Sequence, residues 1–229
     1  MLVIIPAYKE RGAIEKLIDD VSQSESVREI ILVNDSPSEE FTPYYNSLKN
    51  PKLRVIHHDF NKGKDMAIKT AIDATSDGKI IVLDADLHNV KPEQLDKVSE
   101  LLDHYEVVSL IRGVDNSLAR LVGTTYMMLG EHAFRRSFVE KFKDRLFTDI
   151  RWTFDNEFNS LVLSNAVKAK YVELNGVHHT MKGDKYGLWD GIIHDLKMVY
   201  EVIILHYKVF GYITQRIQLQ KFLKDKEVI

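Results

Sequence analysis

The sequence predicts an α/β fold with a mostly parallel central sheet flanked by helices. Short apolar runs alternate with helical patterns through the first half of the chain, which is typical of βαβ units. The run at residues 80–83 is apolar at every position, as expected for a strand covered by helices on both faces. Polar residues follow the predicted strands. Because the carboxyl ends of parallel strands meet at one edge of a sheet, we expect a ligand site there.

Each element of the first half is indicated by a local pattern. The first strand, residues 2–5, ends at Pro6. Residues 12–21 carry apolar side chains at helical spacing, and a polar loop containing Ser and Pro is expected at residues 34–43. The remaining predictions are strands at 30–33, 53–56, 80–83 and 107–111, a helix over 66–74, and a helix over 92–102 that begins at Pro92.

The second half has fewer strand patterns and more aromatic and basic residues. We expect loosely helical structure over 117–147, a helix over 154–163 and a strand at 169–174. A long amphipathic helix is predicted over 188–223, and core packing or a homodimer seam explains its apolar stripe more often than a membrane does. Its basic residues would suit an anionic bilayer, so peripheral membrane contact is a second hypothesis.

Composition limits the classes of protein that fit. The 229 residues, 45% hydrophobic and 28% charged, predict one globular domain with halves at 1–112 and 113–229. A net charge of −3 argues against wholesale nucleic-acid binding, and the absence of cysteine excludes disulfides and thiolate metal sites. We expect no leader peptide and no membrane span. A cytoplasmic protein, peripheral on the inner face of the membrane if the basic helix binds lipid, is therefore predicted.

Two carboxylates, Asp84 and Asp86, follow the apolar run at residues 80–83 and precede His88. Mg²⁺ and Mn²⁺ favour oxygen ligands and bind through one or two carboxylates together with substrate phosphates. The pattern therefore predicts a divalent cation that is presented to a diphosphate. The alternative is a pair of solvated aspartates in a loop.

Three further side chains are suited to a nucleotide at the same edge. Tyr8 can stack on a base, and Asp35 can accept a hydrogen bond from a base N–H. Lys64 can reach a phosphate at the start of a helix. Each has a simpler alternative, since Asp35 can cap a turn and Lys64 can be a solvated lysine.

Four motifs in the first half, I-I-P-A-Y-K-E, L-V-N-D-S, N-K-G-K and L-D-A-D-L, resemble in order and spacing those of inverting family-2 glycosyltransferases of GT-A fold. L-D-A-D-L followed by Pro92 and Glu93 looks most like the polyprenyl-phosphate sugar synthases. The resemblance implies a UDP- or GDP-linked sugar donor, Mg²⁺ or Mn²⁺, and displacement with inversion. It implies Pro6, Tyr8, Glu10 and Asp35 at the nucleoside, Lys64 nearby, and Asp84 and Asp86 at the diphosphate, metal and sugar.

The sequence departs from the family pattern at three positions. Asn34 stands where the family commonly has Asp, and Lys9 and Arg11 replace more usual residues. These departures weaken any inference about which base is bound.

Two segments of the second half resemble the acceptor side of the family. They are G-E-H-A-F-R-R at 130–136 and F-D-N-E at 154–157. On a helix Asp155 and Glu157 point about 200° apart, so at most one faces the site. Asp155 is the first choice as general base for a hydroxyl acceptor, with a helix N-cap as its alternative. A lipid phosphate is already ionised and needs no base.

Histidines and basic residues extend this acceptor side. His178 and His179 point oppositely on a strand, so one of them can join the metal or touch phosphate; loop histidines without a ligand are the alternative. Four basic residues can jointly hold an anionic acceptor such as a polyprenyl phosphate, or can be ordinary surface residues. They are Arg135, Arg136, Lys182 and Lys185.

Two other functions are weighed against a glycosyltransferase. A nucleotidyltransferase would be expected to show a Gly-rich loop directly after the first strand, where this chain has Pro6, Ala7 and Tyr8. A non-catalytic nucleotide-sugar-binding domain would bind the donor but show no turnover.

Overall fold

Short strands and helices alternate along the chain in the computed structural model. The structure describes residues 1–112, 130–148, 153–164, 166–179 and 227–228. At residues 112, 179, 227 and 228 it describes the backbone alone. The strands are β1 (Leu2–Ala7), β2 (Glu29–Asn34), β3 (Leu53–His57), β4 (Lys79–Val82), β5 (Leu87–His88), β6 (Val107–Arg112), β7 (His132–Arg135), β8 (Ala169–Leu174), β9 (His178–His179) and β10 (Glu227–Val228). The helices are α1 (Ala13–Ser22), α2 (Phe41–Ser47), α3 (Lys64–Asp73), α4 (Pro92–Leu101), α5 (Arg136–Leu146) and α6 (Thr153–Leu163).

The main sheet has the strand order β10-β8-β6-β7-β4-β1-β2-β3 in the described part of the chain. β7 runs antiparallel to both of its neighbours, β4 and β6, and every other neighbouring pair is parallel. β5 and β9 form a separate antiparallel pair. The predicted α/β fold with a mostly parallel sheet is confirmed.

Helices cover the sheet on two faces, so its central strands are buried on both sides. Along β1, Val3 and Ile5 pack into one core with residues of α1 and α4. Leu2 and Ile4 pack into the other core with residues of α3, α5 and α6. This alternation explains why the strand sequences are apolar at almost every position.

Pro6 lies inside β1 and does not end it, contrary to the sequence prediction. The carbonyl of Ile4 accepts from Leu83 on the β4 side, so the nitrogen two residues later faces the same side. β4 pairs with β1 only as far as Ile4 and Val82. Because the ladder on that side has already ended, the missing N–H of Pro6 removes no sheet hydrogen bond.

Three further elements differ from the prediction. α2 includes residues 41–43, which were expected to belong to a loop; Pro43 sits in its first turn, where a missing N–H is harmless, and Phe41 and Tyr45 are buried. β7 interrupts the helical pattern expected over 117–147, because it pairs with β4 and β6. β5 was not predicted, since a strand of two residues has no periodicity.

Several predictions lie outside the described residues. They are the helix over 188–223, with its membrane and dimer hypotheses, the segment 117–129, Lys182 and Lys185. Within the residues that the structure does describe, no helix is both long and apolar enough to span a bilayer.

A cluster of aromatic rings holds α5 and α6 against β7. Phe134 of β7 lies 6.0 Å from Phe138, 5.9 Å from Phe154 and 6.0 Å from Phe158, measured between ring centroids. Phe138 and Phe158 meet edge to face at 5.0 Å. All four rings are fully buried. The position of α6, and of any side chain it presents, therefore depends on this cluster.

We expect Phe134→Ala to lower the free energy of unfolding by about 3–5 kcal/mol, because it removes the ring at the centre of the aromatic cluster and leaves a cavity. Phe60→Ala is the matched control, since the Phe60 side chain is 64% exposed and its loss should change stability by less than about 0.5 kcal/mol. Urea denaturation of both variants checks this. Equal stability losses would show that the cluster does not hold the two helices.

Candidate active site

The ends of β1, β2 and β4 gather the predicted site residues at one edge of the sheet. β1 pairs with β2 as far as Ala7 and Asn34, and with β4 as far as Ile4 and Val82. The loops that follow these strands carry Tyr8, Glu10, Asp35, Asp84 and Asp86. The polar residues that follow the strands in the sequence are therefore neighbours in space.

The loop after β1 is held by the loop after β2 and by α2. The backbone N–H of Lys9 donates to Ser36 Oγ at 3.1 Å. The buried hydroxyl of Tyr45 donates to the Glu10 carbonyl at 3.0 Å, and the Glu10 N–H lies 3.1 Å from the same oxygen. This loop leaves the Tyr8 ring 48% exposed and accessible to a ligand.

The carboxylate of Asp35 is buried and holds the turn that begins α3. It accepts from the backbone N–H groups of Lys62 at 2.7 Å and Gly63 at 2.8 Å. His58 Nδ1 lies 2.8 Å from Asp35, and His58 Nε2 lies 2.9 Å from the Thr70 hydroxyl. Gly63 has a φ of 89°, which favours glycine. Asp35 therefore positions Lys64, the next residue of the turn.

The ammonium of Lys64 lies between two carboxylates. Its Nζ is 2.9 Å from Asp84 Oδ1 and 3.4 Å from Asp155 Oδ2, and it donates to the Gly130 carbonyl at 3.2 Å. Burial would lower the pKa of Lys64, but Asp155 and Asp84 outweigh burial and raise that pKa above its ordinary value. A stable positive charge therefore joins the end of β4 to α6.

Gly130 approaches this cluster so closely that a side chain there would require the neighbouring groups to move. A β-carbon at residue 130 would lie 3.0 Å from Lys64 Nζ and 3.3 Å from Asp84 Oδ2. The chain that leads into β7 is therefore part of the site wall.

α6 presents Asp155 to the cluster and Glu157 to another helix. Asp155 Oδ1 lies 3.5 Å from His132 Nε2, and its other oxygen faces Lys64. Glu157 accepts from the guanidinium of Arg145, on α5, at 2.7 Å. Glu157 therefore faces α5 and not the side of Asp155, because two positions along a helix face different sides, and its catalytic role stays a prediction.

Asp65 joins the start of α3 to the start of α6. Its carboxylate accepts from the backbone N–H of Phe154 at 3.3 Å. Burial, and to a smaller extent the nearby carboxylate of Asp155, raise the pKa of Asp65 to about 6. Asp65 was not among the predicted site residues, since nothing in its local sequence indicates that α6 packs against it.

Two histidines are brought beside the aspartate pair by the small sheet. Leu87 pairs with His179 and His88 with His178, directly after Asp86 in the chain. The rings of His88 and His178 stack with centroids 5.3 Å apart. Within the described ranges, three or more His, Asp or Glu side chains do not meet in a metal-binding arrangement. Carboxylates and imidazoles are nevertheless the donor types that suit Mn²⁺, so the local chemistry fits such an ion.

Arg135 and Arg136 lie at the opposite end of the sheet from Asp84. Arg135 is paired with Lys79 at the start of β4, and the N–H of Arg136 donates to the Gly78 carbonyl. Their guanidinium groups donate to backbone carbonyls of Leu102, Asp103, Asp77, Ile72 and Thr75. These contacts tie β7 and α5 to neighbouring loops, away from the aspartate pair, and the assignment of both arginines to an acceptor stays a prediction.

Besides Asp65, two residues at this edge were not predicted from the sequence, Phe60 and His132. Phe60, in the loop after β3, is 64% exposed, and Lys62 Nζ lies 5.2 Å from its ring centroid. An aromatic residue just before N-K-G-K was a usable signal. His132 was quoted within a motif without a role, because its burial depends on the pairing of β7 with β4.

Comparisons with known proteins agree with this architecture. The family model described as Glycosyl transferase family 2 matches residues 2–169. The uncharacterized glycosyltransferase YkcC of Bacillus subtilis (strain 168) is 27% identical over 116 residues, which make up 48% of this chain and 36% of that protein. The chain thus spans little more than a third of the curated relative that it matches.

Solved structures share the fold at low sequence identity. Glucosyl-3-phosphoglycerate synthase from Mycobacterium tuberculosis, with Mn²⁺, UDP-Glc and phosphoglyceric acid, has a TM-score of 0.56 and 18% identity, over 78% of this chain and 71% of that one. The mannosyltransferase PcManGT from Pyrobaculum calidifontis, with GDP-Man and Mn²⁺, has a TM-score of 0.55 and 17% identity, over 73% and 53%. The expected GT-A fold is confirmed.

We expect Asp65→Asn to stabilise the protein above pH 7 and to have no such effect below pH 4. The folded state holds a proton on Asp65 up to about pH 6, whereas the ordinary pKa is 3.8, so the stability gained from this proton is complete below about pH 4 and lost as the pH rises through 6. Asparagine can still accept from Phe154 and carries no charge. The gain should reach up to about 3 kcal/mol.

Thermal unfolding between pH 4 and pH 8 measures this difference. Asp73→Asn on the same helix is the control, because the Asp73 side chain is 51% exposed. An Asp65→Asn variant that is less stable than the parent at pH 8 would contradict the assignment.

Proposed function

Because the chain belongs to glycosyl transferase family 2, we propose that it transfers a sugar from a nucleotide-diphosphate donor to a hydroxyl acceptor, with Asp155 as general base. The main support for this proposal is the contact of Lys64 with both Asp84 and Asp155. Its ammonium lies 2.9 Å from Asp84, on the donor side, and 3.4 Å from Asp155. One charged group therefore links the residue assigned to the donor with the residue assigned to the acceptor.

The nucleoside is assigned to the loops after β1 and β2. The exposed ring of Tyr8 offers a stacking surface, and Pro6 and Glu10 flank it in the same loop. Asp35 accepts from two backbone N–H groups and contacts His58. The carboxylate that is assigned to the base is therefore the same one that holds the turn before α3. UDP- and GDP-linked sugars both remain candidates, since structural neighbours were solved with UDP-Glc and with GDP-Man.

A divalent cation, Mg²⁺ or Mn²⁺, is assigned to the aspartate pair. Asp84 is in an ion pair with Lys64 and Asp86 follows it two residues later, so both carboxylates are candidate ligands. His178 or His179 would complete the set, because β9 pairs with the segment that follows Asp86. When bound, such an ion neutralises the charge of the leaving diphosphate.

In the proposed reaction Asp155 removes the proton of the acceptor hydroxyl. The acceptor oxygen bonds to the anomeric carbon while the bond from that carbon to the diphosphate breaks on the opposite side. The product is a glycoside of inverted configuration and a nucleoside diphosphate. Lys64 stays charged throughout and holds Asp155 and Asp84 at a fixed separation.

A polyprenyl-phosphate acceptor is the second candidate and rests on the sequence resemblance. Two of the four basic residues assigned to that phosphate, Arg135 and Arg136, lie at the far end of the sheet. The other two, Lys182 and Lys185, lie outside the described residues. The ion-paired position of Asp155 supports the hydroxyl acceptor instead, since a phosphate nucleophile needs no base.

We expect Asp86→Asn to cost at least about 2 kcal/mol of transition-state stabilisation, because it removes a carboxylate that compensates cation and diphosphate charge. Asp73→Asn should leave activity unchanged, since Asp73 lies at the other end of α3. Donor hydrolysis with UDP- and GDP-linked sugars, in Mn²⁺ and in chelator, measures the effect. Full turnover of Asp86→Asn, or full activity in chelator, would exclude the metal site.

We expect Asp155→Asn to slow transfer to a hydroxyl acceptor by about 10²–10⁴-fold while nucleotide affinity stays within about twofold. Glu157→Gln is the matched control two residues away, and it should keep most activity because Glu157 contacts Arg145. Steady-state kinetics and calorimetry separate the two effects. An Asp155→Asn variant that still glycosylates a polyprenyl phosphate at the parent rate would establish the lipid-phosphate acceptor and refute the proposed base.

A further inference from the structure

His132 is a wholly buried histidine at the wall of the candidate active site. It is the first residue of β7 and is paired with Val82, which lies two residues before Asp84. Its ring stacks on Phe158 of α6, with centroids 3.9 Å apart and planes 26° apart. The sheet and the helix therefore fix both the position and the plane of the imidazole.

The imidazole faces one oxygen of Asp155. His132 Nε2 lies 3.5 Å from Asp155 Oδ1, slightly longer than an ordinary N–H···O hydrogen bond. Across the described residues, neither ring nitrogen of His132 nor Asp155 Oδ1 has a hydrogen-bond partner at standard distance. Buried polar atoms are rarely left in this state. A movement of a few tenths of an ångström would satisfy Nε2 and Oδ1 together.

The protonation state of His132 suits a donor to this carboxylate. Burial lowers the pKa of His132, against the opposing effect of Asp155, so the ring is neutral at neutral pH. A neutral imidazole carries one N–H donor. Because Oδ1 of Asp155 is an acceptor, the contact requires that hydrogen on Nε2.

Among the residues that the structure describes, the other charged groups around Asp155 leave Oδ1 to His132. Lys64 faces the opposite oxygen, Oδ2, at 3.4 Å. Asp65 and Asp84 are carboxylates and cannot donate while ionised, and the same holds for Glu131, the neighbour of His132 on the chain. His132 therefore supplies the N–H on the Oδ1 side.

We propose that His132 is a positioning residue whose Nε2–H holds Oδ1 of Asp155, so that the carboxylate presents its other oxygen to the acceptor hydroxyl. This inference rests on the proposed function, because it requires Asp155 to act as the base. His132 neither gives nor receives a proton in the reaction. Its contribution is to restrict the rotation of a carboxylate whose other oxygen contacts Lys64.

The experiment compares three substitutions at residue 132 by steady-state kinetics and thermal unfolding. His132→Phe keeps a ring for stacking on Phe158 and removes the donor. We expect an unchanged or higher melting temperature, since buried polar atoms are lost, and a kcat lower by about 10–100-fold with the donor KM within about twofold. His132→Gln, whose amide can reach the position of Nε2, should restore kcat to within about fivefold of the parent.

His132→Asn provides the comparison if the Phe variant does not fold. Its amide is polar like that of Gln but ends short of Nε2, so it should be about tenfold slower than His132→Gln. The double variant His132→Phe with Asp155→Asn should be no slower than Asp155→Asn alone, because a positioning residue acts only through the group it holds.

The outcomes separate this inference from the proposed function. The inference is refuted if Asp155→Asn is impaired while a folded His132→Phe variant keeps the parent kcat. If His132→Phe does not fold, equal kcat values for His132→Asn and His132→Gln refute it in the same way. In either case His132 is a core residue. If Asp155→Asn itself transfers the sugar at the parent rate, the assignment of Asp155 as the base is refuted, and with it the proposed function on which this inference rests. Additive losses in the double variant would also refute positioning through Asp155.

Discussion

The site depends on one buried ammonium held between two carboxylates. Lys64 contacts Asp84 at the end of β4 and Asp155 at the start of α6, so it joins parts of the chain that are far apart in sequence. A buried charge is tolerated only when it is paired, and here the two carboxylates provide that pairing. Removing the ammonium would leave two carboxylates close together without a compensating positive charge. The three groups are therefore expected to behave as one electrostatic unit.

The rest of the fold holds this unit in place. Asp35 holds the turn that begins α3 and thereby determines the position of Lys64. β7 lies antiparallel between β4 and β6 and brings Gly130 and His132 to the same place. The aromatic cluster determines the position of α6. Each side chain of the unit thus stands on a different element, and all of these elements meet in two apolar cores.

The sequence predicts the parallel half of the fold well and the rest less well. Runs such as residues 80–83 are apolar because both faces are buried, which is visible locally. β7 and the pairing of β5 with β9 arise from contacts between distant segments, so no local pattern reveals them. The same reason separates the site residues. Asp84 and Asp86 follow a recognisable strand, whereas the contact of His132 with Asp155 and the position of Arg136 at the opposite end of the sheet depend on tertiary packing.

The double role proposed for Asp35 has a consequence for altering donor choice. Its carboxylate accepts hydrogen bonds from the backbone N–H groups of residues 62 and 63. Any replacement chosen to bind a different base would therefore also displace Lys64, which follows them. Base preference and the geometry of the reaction centre are thus mechanically coupled on this side of the pocket. The exposed ring of Tyr8 belongs to the loop after β1 and not to this turn. If Tyr8 stacks on the base as proposed, it is a position where substitution can reshape base recognition while the reaction centre keeps its geometry.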